Sequence, residues 1–233
     1  MRLSEFEKYK VLRPLFGNVE YDDSMPIIKK DNFDDIDWNT VEIVNFKSSK
    51  NIKKSKTTIV EMFNYDHVLM GLWNNPYNHM IRFKNYLAIA TPDFSIYPGM
   101  NKYDVEYNVY KNRWLGCTWQ NLGIKVIPTI SWGDESTYDI AFKGIERESV
   151  VMISTLGCLK NKDFFLKGYD EMLKRITPQL IIVVGKILEG MTGNIIPFDY
   201  TDTFSKKDEY EQLKLFEIDR ILRINAGDSI YGK

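Results

Sequence analysis

Short apolar runs recur along the chain, and their spacing constrains the fold more than any other feature of the sequence. They stand about 25 to 40 residues apart, and several of the intervening segments carry apolar side chains at helical spacing. Parallel strands need a crossover of a dozen or more residues, whereas antiparallel neighbours can be joined by a short turn. The pattern therefore predicts an α/β fold with a parallel sheet of repeated βα units. The predicted strands are residues 57–63, 86–91, 124–130, 150–155 and 180–184, with weaker candidates at 41–46 and 195–200.

Two long helices are predicted between these strands. Asn101 is a suitable N-cap for a helix over residues 102–122, which Gly123 is placed to end. A second helix is predicted over residues 161–176, and Pro178 prevents its continuation. An open doubly wound sheet and a partial β/α barrel both satisfy the spacing, so the two architectures stay open. Shorter helices are expected at residues 65–73 and 136–142, and the apolar face of the 161–176 helix carries Phe165, Tyr169, Met172, Leu173 and Ile176.

The segments on either side of the repeated units differ in character. Residues 1–40 contain scattered Pro, Gly and Asp, which predicts an irregular N-terminal arm lying over the domain. Residues 41–200 form the predicted α/β core domain. Residues 201–233 are predicted to comprise an amphipathic helix, over residues 205–223, and a frayed tail.

Composition sets bounds on partners and compartment. The formal net charge is −1, so no global field attracts nucleic acid, although a local basic patch would suffice. Two isolated cysteines cannot build a disulfide framework, which favours a reducing compartment. The start lacks the apolar core of a secretory signal, and no apolar run approaches the roughly 20 residues that cross a bilayer. We therefore expect a cytoplasmic protein with no membrane partner.

Functional groups are expected beyond the carboxyl ends of the strands, where parallel α/β proteins bind ligands. Asp93 follows the predicted strand at 86–91, and Asp134 and Glu135 follow the strand at 124–130. These carboxylates are candidates for general acid–base catalysis, and Asp93 and Asp134 are also candidate Mg²⁺ ligands. The competing interpretation is structural: Asp93 caps a turn, and Asp134 caps the short helix at 136–142.

A third polar segment follows the strand at 150–155. Hydroxyl groups, a helix start and a lysine at this place suit a phosphate group. The segment is not a Walker loop, and its pattern favours a plain strand-to-helix turn over an anion site. Trp132 either stacks on a sugar or base or packs within the protein. The candidate ligand-binding residues are Ser95, Trp132, Ser154, Thr155, Gly157 and Lys160.

The remaining reactive side chains favour structural roles. His67 and His79 are separated in a way that fits no zinc site or catalytic triad. Cys158 stands near a predicted helix start, but no histidine lies near it in sequence to activate it. The lysines between positions 47 and 56 are typical of a solvated loop, with nucleic-acid contact as the alternative.

Several of these segments together resemble a known family. Residues 92–95, 123–129, 132–136 and 154–158, with Asn74-Asn75-Pro76, are similar to the uncharacterised bacterial and phage family called domain of unknown function 4417. The similarity extends over about residues 25–190. It implies a phage or mobile-element origin and a bacterial host, and it brings no established activity, cofactor or catalytic residue.

Two hypotheses follow for function. The first is a protein that binds a phosphate-bearing small molecule, a nucleotide or nucleotide-sugar, at the strand carboxyl ends and hydrolyses or transfers it. The second is a non-catalytic replication, partition or counter-defence factor that binds nucleic acid or a protein through the lysine segment and the C-terminal helix. Carboxylates converging in one cleft favour the first, and a filled strand end beside a basic face favours the second.

Overall fold

The computed structural model describes residues 4–50 and 56–200, so the predicted helix at 205–223 and part of the lysine segment lie outside the described residues. In the described part, the repeated strand and helix units predicted from the sequence are present. The helices are α1 (Glu5–Leu12), α2 (Asp66–Asn74), α3 (Met80–Phe83), α4 (Lys102–Asn121), α5 (Tyr138–Ala141) and α6 (Lys162–Ile176). The strands are β1 (Tyr21–Asp22), β2 (Met25–Pro26), β3 (Glu42–Asn45), β4 (Thr58–Glu61), β5 (Ala88–Ala90), β6 (Val126–Ile127), β7 (Val150–Ser154), β8 (Leu180–Val184) and β9 (Ile195–Phe198).

The strands from β3 to β9 run parallel and lie side by side in chain order. β3 to β6 form one hydrogen-bonded sheet, and β7 to β9 form another. A parallel bridge between Thr129 and Met152 connects the two, and Met152 N donates to Pro128 O at 3.0 Å. The predicted parallel arrangement is therefore confirmed. The strand predicted at 124–130 is shorter than expected because Pro128 has no N–H to donate to the ladder.

Strand order decides between the two architectures that the sequence left open. A doubly wound sheet reverses its strand order at a switch point, whereas β3 to β9 keep chain order throughout. One face of all seven strands contributes to a single apolar cluster, here called the inner cluster, to which no α-helix contributes. The opposite faces pack against helices. The arrangement is a partial β/α barrel. The inner cluster comprises the buried residues Phe33, Val41, Ile59, Phe63, Leu87, Ala88, Ala90, Ile127, Val150, Met152, Leu180, Ile182 and Val184.

The long helices begin and end where local chemistry predicts. Asn101 caps α4, since its side-chain oxygen accepts from Tyr103 N at 2.9 Å. Gly123 follows the helix with a φ of 75°, a left-handed conformation that glycine adopts without strain. In α6 four residues of the predicted apolar face are buried and Leu173 is half-buried, and Pro178 follows the last turn.

The N-terminal arm packs against the amino end of β6 and against the inner cluster. Asp31 accepts from Val126 N at 2.8 Å, which fixes the arm to the start of β6. Phe33 belongs to the inner cluster, and Trp38 packs against its ring at 5.9 Å between centroids. The arm also contains α1 and the β1–β2 hairpin, which the sequence did not reveal because these elements are short and weakly patterned. A cavity lies beside the arm at this end, and it is lined by Lys30, Asp31, Asn32, Asp34, Glu148 and Gln179.

No helix among residues 4–50 and 56–200 has the length and apolar character that a membrane crossing requires.

Packing of α6 against the strands predicts a large effect for one substitution. Met172 is 0% exposed and lies in the cluster between α6 and the outer faces of β7 and β8. Met172→Ala should lower the free energy of unfolding by roughly 2–5 kcal/mol, because it removes buried methylene groups and leaves a cavity. Chemical denaturation measures the loss. The control is Lys167→Ala on the exposed side of the same helix, and equal stabilities of the two variants would contradict the assigned face.

Candidate functional site at the strand carboxyl ends

Polar side chains gather at the carboxyl ends of five neighbouring strands. Asn45 and Glu61 are the last residues of β3 and β4 and are paired in register. Polar residues also follow β5 and β6, and Ser154 ends β7. The set lies where parallel α/β proteins bind ligands. We call it the polar mouth, and it comprises Asn45, Glu61, Asn64, Asp93, Ser131 and Ser154.

Asn45 and Glu61 form the buried floor of the polar mouth. Both are 0% exposed. Glu61 alternates along β4 with Ile59 and Phe63, which belong to the inner cluster, so its side chain lies on the inner face. Its Oε1 accepts from Asn45 Nδ2 at 2.6 Å, and its Oε2 accepts from Phe63 N at 2.7 Å. Two donors therefore hold the carboxylate in one position.

The rim of the polar mouth is formed by half-buried residues. Asn64 Nδ2 donates to Asn45 Oδ1 at 3.1 Å, which joins the rim to the floor. Asp93 N donates to Met62 O at 3.3 Å, so the segments after β4 and β5 stay adjacent beyond the ladder. Asp93 Oδ1 and Asn64 Oδ1 are buried, and neither accepts a hydrogen bond from the described residues. Buried acceptors of this kind are uncommon in proteins, and a donor from a water molecule or from a ligand accounts for them.

Burial raises the pKa values of both carboxyl groups. The pKa of Glu61 rises to about 7, mainly through desolvation and further through the charge of Asp93, against the lowering effect of its two hydrogen bonds. The pKa of Asp93 rises to about 6, again mainly through desolvation, while the Ser131 hydroxyl lowers it and the charge of Asp66 raises it. Both groups therefore change charge near neutral pH.

Ser95 is tied to a carboxylate beside the mouth. Asp66, at the start of α2, accepts from Ser95 N at 3.1 Å and from Ser95 Oγ at 3.0 Å. Lys111 is buried nearby, with its Nζ 4.1 Å from the centroid of the Phe94 ring, and burial lowers its pKa. Ser95 thus orders the loop after β5 and stands next to the mouth rather than within it.

Asp134 and Glu135 lie in the loop and the 3-10 helix that follow Ser131. Asp134 caps the 3-10 helix Glu135–Thr137 through Ser136 N at 3.0 Å and also accepts from Gly99 N at 2.8 Å. These hydrogen bonds, chiefly that from Ser136, lower the pKa of Asp134. Glu135 is exposed, and among the described residues no contact joins Asp134 to Asp93. The structural interpretation accounts for what Asp134 contacts.

In the polar segment that follows β7, Ser154 belongs to the polar mouth and the other predicted residues do not. Ser154 Oγ donates to Val184 O at 3.2 Å and lies on the inner side of β7. Thr155 is buried, and its Oγ1 donates to Lys186 O at 2.8 Å. Gly157 is exposed with a φ of 75°, which places it in a left-handed turn. The side chain of Lys160 lies outside the described residues.

Trp132 packs within the scaffold. Its ring lies 5.0 Å from that of Phe165 and 5.9 Å from that of Phe142, measured between centroids. A Cβ atom at Gly168 would stand 2.1 Å from Trp132 Nε1, so α6 has a glycine where the indole passes. These contacts support the packing alternative for Trp132.

The floor of the site was missed by sequence reasoning. A carboxylate in the middle of a run such as Thr58–Glu61, followed by Met62 and Phe63, is a signal in itself, because a buried parallel strand rarely carries a charge. Asn45 and Asn64 gave no such signal. No group of three or more His, Cys, Asp or Glu residues suited to a metal occurs within the described ranges, and Mg²⁺ binding stays a prediction.

The raised pKa of Glu61 predicts an unusual dependence of stability on pH. The folded protein retains a proton that the unfolded chain releases above a pKa of 4.5, so the free energy of unfolding should fall as the pH rises from about 4.5 through 7. The loss should be on the order of 3 kcal/mol, and Asp93 acts in the same direction between pH 3.8 and about 6. Glu61→Gln should make this decline shallower.

Urea denaturation at a series of pH values measures the slope. Gln has the size of Glu but cannot ionise. The quantity compared between wild type and Glu61→Gln is therefore the slope of the free energy of unfolding against pH, and not the free energy at a single pH. Glu106→Gln on the exposed surface of α4 is the control. An identical pH dependence in wild type and Glu61→Gln would show that Glu61 keeps an ordinary pKa.

Two phage proteins are similar to part of the chain. The Gene 1 protein of Mycobacterium phage L5 is 38% identical over 125 residues, covering 52% of this chain and 55% of the phage protein. The Gene 1 protein of Mycobacterium phage D29 is 34% identical over 125 residues, covering 52% of this chain and 46% of its own length. The chain therefore spans about half the length of the curated relatives it matches. No solved structure matches it.

The family comparison covers most of the chain. The domain of unknown function called DUF4417 matches residues 19–201, a range that includes β1 to β9 and every residue of the polar mouth. This match confirms the resemblance found in the sequence. The chain belongs to the DUF4417 family.

Proposed function

We propose that the chain is an enzyme that binds a nucleotide or nucleotide-sugar at the polar mouth and hydrolyses or transfers it at its glycosidic centre. Asp93 is the acid–base group that reaches the ligand. Glu61 lies beneath it and acts as a positioning residue that holds the floor. The observation that carries the proposal is a pair of adjacent carboxyl groups, Glu61 buried on the floor and Asp93 half-buried on the rim, whose pKa values are raised to about 7 and about 6.

The two pKa values suit acid–base chemistry near neutral pH. A catalytic group is most effective when its pKa lies close to the working pH. Above pH 6 Asp93 is ionised and can accept a proton from a water molecule as its oxygen attacks the anomeric carbon. The glycosidic bond breaks in the same step with its electron pair on the leaving group, which takes a proton from solvent, and Asp93 then releases the proton it accepted to solvent.

The charge of the mouth favours a glycosidic over a phosphoryl centre. The polar mouth contains two carboxyl groups, and among its six residues none is a lysine or arginine. Ionised carboxylates repel a phosphate, whereas they stabilise the positive charge that develops on a sugar ring as the glycosidic bond breaks. Binding of a ligand phosphate by Lys160 and the turn at Gly157 stays a prediction beside this centre.

The non-catalytic hypothesis also stays a prediction. Its two carriers are the lysine segment, of which residues 51–55 lie outside the described residues, and the helix predicted at 205–223, which lies wholly outside them.

Substitution of Asp93 tests the proposed role. Asp93→Asn should lower kcat/KM by about 10²–10⁴-fold, the usual contribution of a general acid or base. Asn has nearly the volume of Asp, and removing a carboxyl group with a raised pKa should not destabilise the fold above pH 6. NMR detection of released base or sugar, from a panel of nucleotides and nucleotide-sugars with and without Mg²⁺, measures the effect.

Asp104→Asn, in the exposed first turn of α4, is the matched control and should keep wild-type activity. Activity of the wild type should also rise with pH through about 6, as Asp93 ionises. Full activity of Asp93→Asn would remove Asp93 from the reaction. Absence of turnover by the wild type on the whole panel would refute the proposed function.

A further inference from the structure

We infer that the part of the ligand seated in the polar mouth is a hydroxylated sugar ring, which binds through two adjacent hydroxyl groups donated to Asp93 and Asn64. This inference rests on the proposed function and names the moiety that the same site recognises. It depends on which atoms of the mouth lack partners and not on the titration of its carboxyl groups.

Both unmatched atoms of the mouth are acceptors. Asp93 Oδ1 and Asn64 Oδ1 are buried without a donor from the described residues. A buried acceptor without a donor loses its hydrogen bonds to water and gains nothing in exchange. A ligand that brings O–H groups to both atoms removes this penalty, whereas an ionised phosphate offers acceptors only.

The orientation of the Asn64 side chain follows from the groups beneath it. Lys47 N donates to Asn45 Oδ1 at 2.9 Å, so the oxygen of Asn45 must face this fixed donor. Asn45 Nδ2 then faces Glu61, and Asn64 must direct its own Nδ2 to Asn45 Oδ1. A flipped Asn64 amide would set two acceptor oxygens against each other. Asn64 Oδ1 is therefore the free end of a network whose direction is set by the backbone.

The two acceptors lie on neighbouring segments beyond the same ladder. The last pair of the β4–β5 ladder is Val60 and Ile89, and Asn64 and Asp93 each stand four residues further along their segments. The hydrogen bond from Asp93 N to Met62 O keeps the segments adjacent beyond the ladder. Neighbouring strands lie about 4.8 Å apart, a separation that side chains from both can close onto one diol. A single point donor such as an ammonium would not match two separate acceptors as well.

Removal of single hydroxyl groups from a ligand tests the inference. Calorimetry would compare a ribonucleoside with its 2′-deoxy, 3′-deoxy and 2′,3′-dideoxy analogues, together with inorganic phosphate and a primary amine of similar size. Each missing hydroxyl should weaken binding by about tenfold or more, because it leaves one buried acceptor unpaired. Phosphate alone and the amine should bind more weakly than the ribonucleoside.

A variant assigns one hydroxyl to its partner. Wild type should bind the ribonucleoside more tightly than either monodeoxy analogue. In Asn64→Ala this preference should disappear for the analogue that lacks the hydroxyl bound by Asn64, and it should persist for the other analogue. Asn74→Ala, on the exposed end of α2, is the matched control and should keep both ratios. Thermal unfolding of both variants establishes that they are folded before binding is compared.

The outcomes separate the inference from the function on which it rests. Equal affinity for the ribonucleoside and its dideoxy analogue, or stronger binding of phosphate or amine, would overturn the diol while leaving turnover at Asp93 intact. Turnover that depends on Asp93 together with hydroxyl-dependent binding supports both. Absence of binding across the whole panel would remove the inference together with the proposed function.

Discussion

Burial of one shared inner face is the constraint on which the structure depends. Seven parallel strands in chain order contribute alternate side chains to the inner cluster, and the arm adds Phe33 at its amino end. Burial of this apolar surface drives folding, at about 25 cal/mol for each Å² removed from water. Because alternate residues of every strand must face inward, the last inward position of each strand falls at the carboxyl end. In this final inward layer β3, β4 and β7 carry the polar residues Asn45, Glu61 and Ser154, which belong to the polar mouth, whereas β8 carries Val184.

A buried polar group in that layer either forms a hydrogen bond or lowers the stability of the fold. Glu61 has a donor for each oxygen, and Asn45 connects it to the rim. Asp93 and Asn64 each keep one buried acceptor unmatched. Residues chosen for stability alone would be apolar here, as they are one layer deeper at Ile59. The unmatched acceptors therefore mark a place where the protein gives up stability, as proteins commonly do where they bind ligands.

The sequence predicted the periodic parts of this arrangement and missed those fixed by tertiary contacts. β8 has the predicted bounds Leu180–Val184, because a fully buried strand reads as a continuous apolar run. Asp93 was found because it follows such a run. Glu61 was missed because one charge inside an apolar strand does not alter the pattern. Asp134 has the same local sequence context as Asp93, and only the folded chain shows that Gly99 and Ser136 occupy its oxygens.

Stability and reactivity place opposite demands on Asp93. The fold favours its protonated form, since burial raises its pKa to about 6, whereas proton acceptance requires the ionised form. Above pH 6 Asp93 therefore carries a negative charge in a desolvated position, and the hydrogen bond from Ser131 partly compensates that charge. A ligand that donates a hydroxyl to Oδ1 stabilises this ionised form and so lowers the pKa of Asp93 on binding. By linkage, the same ligand binds more tightly as Asp93 ionises. Asp93 thus lowers the stability of the protein without ligand, and a hydroxylated ligand bound to Asp93 would restore that stability.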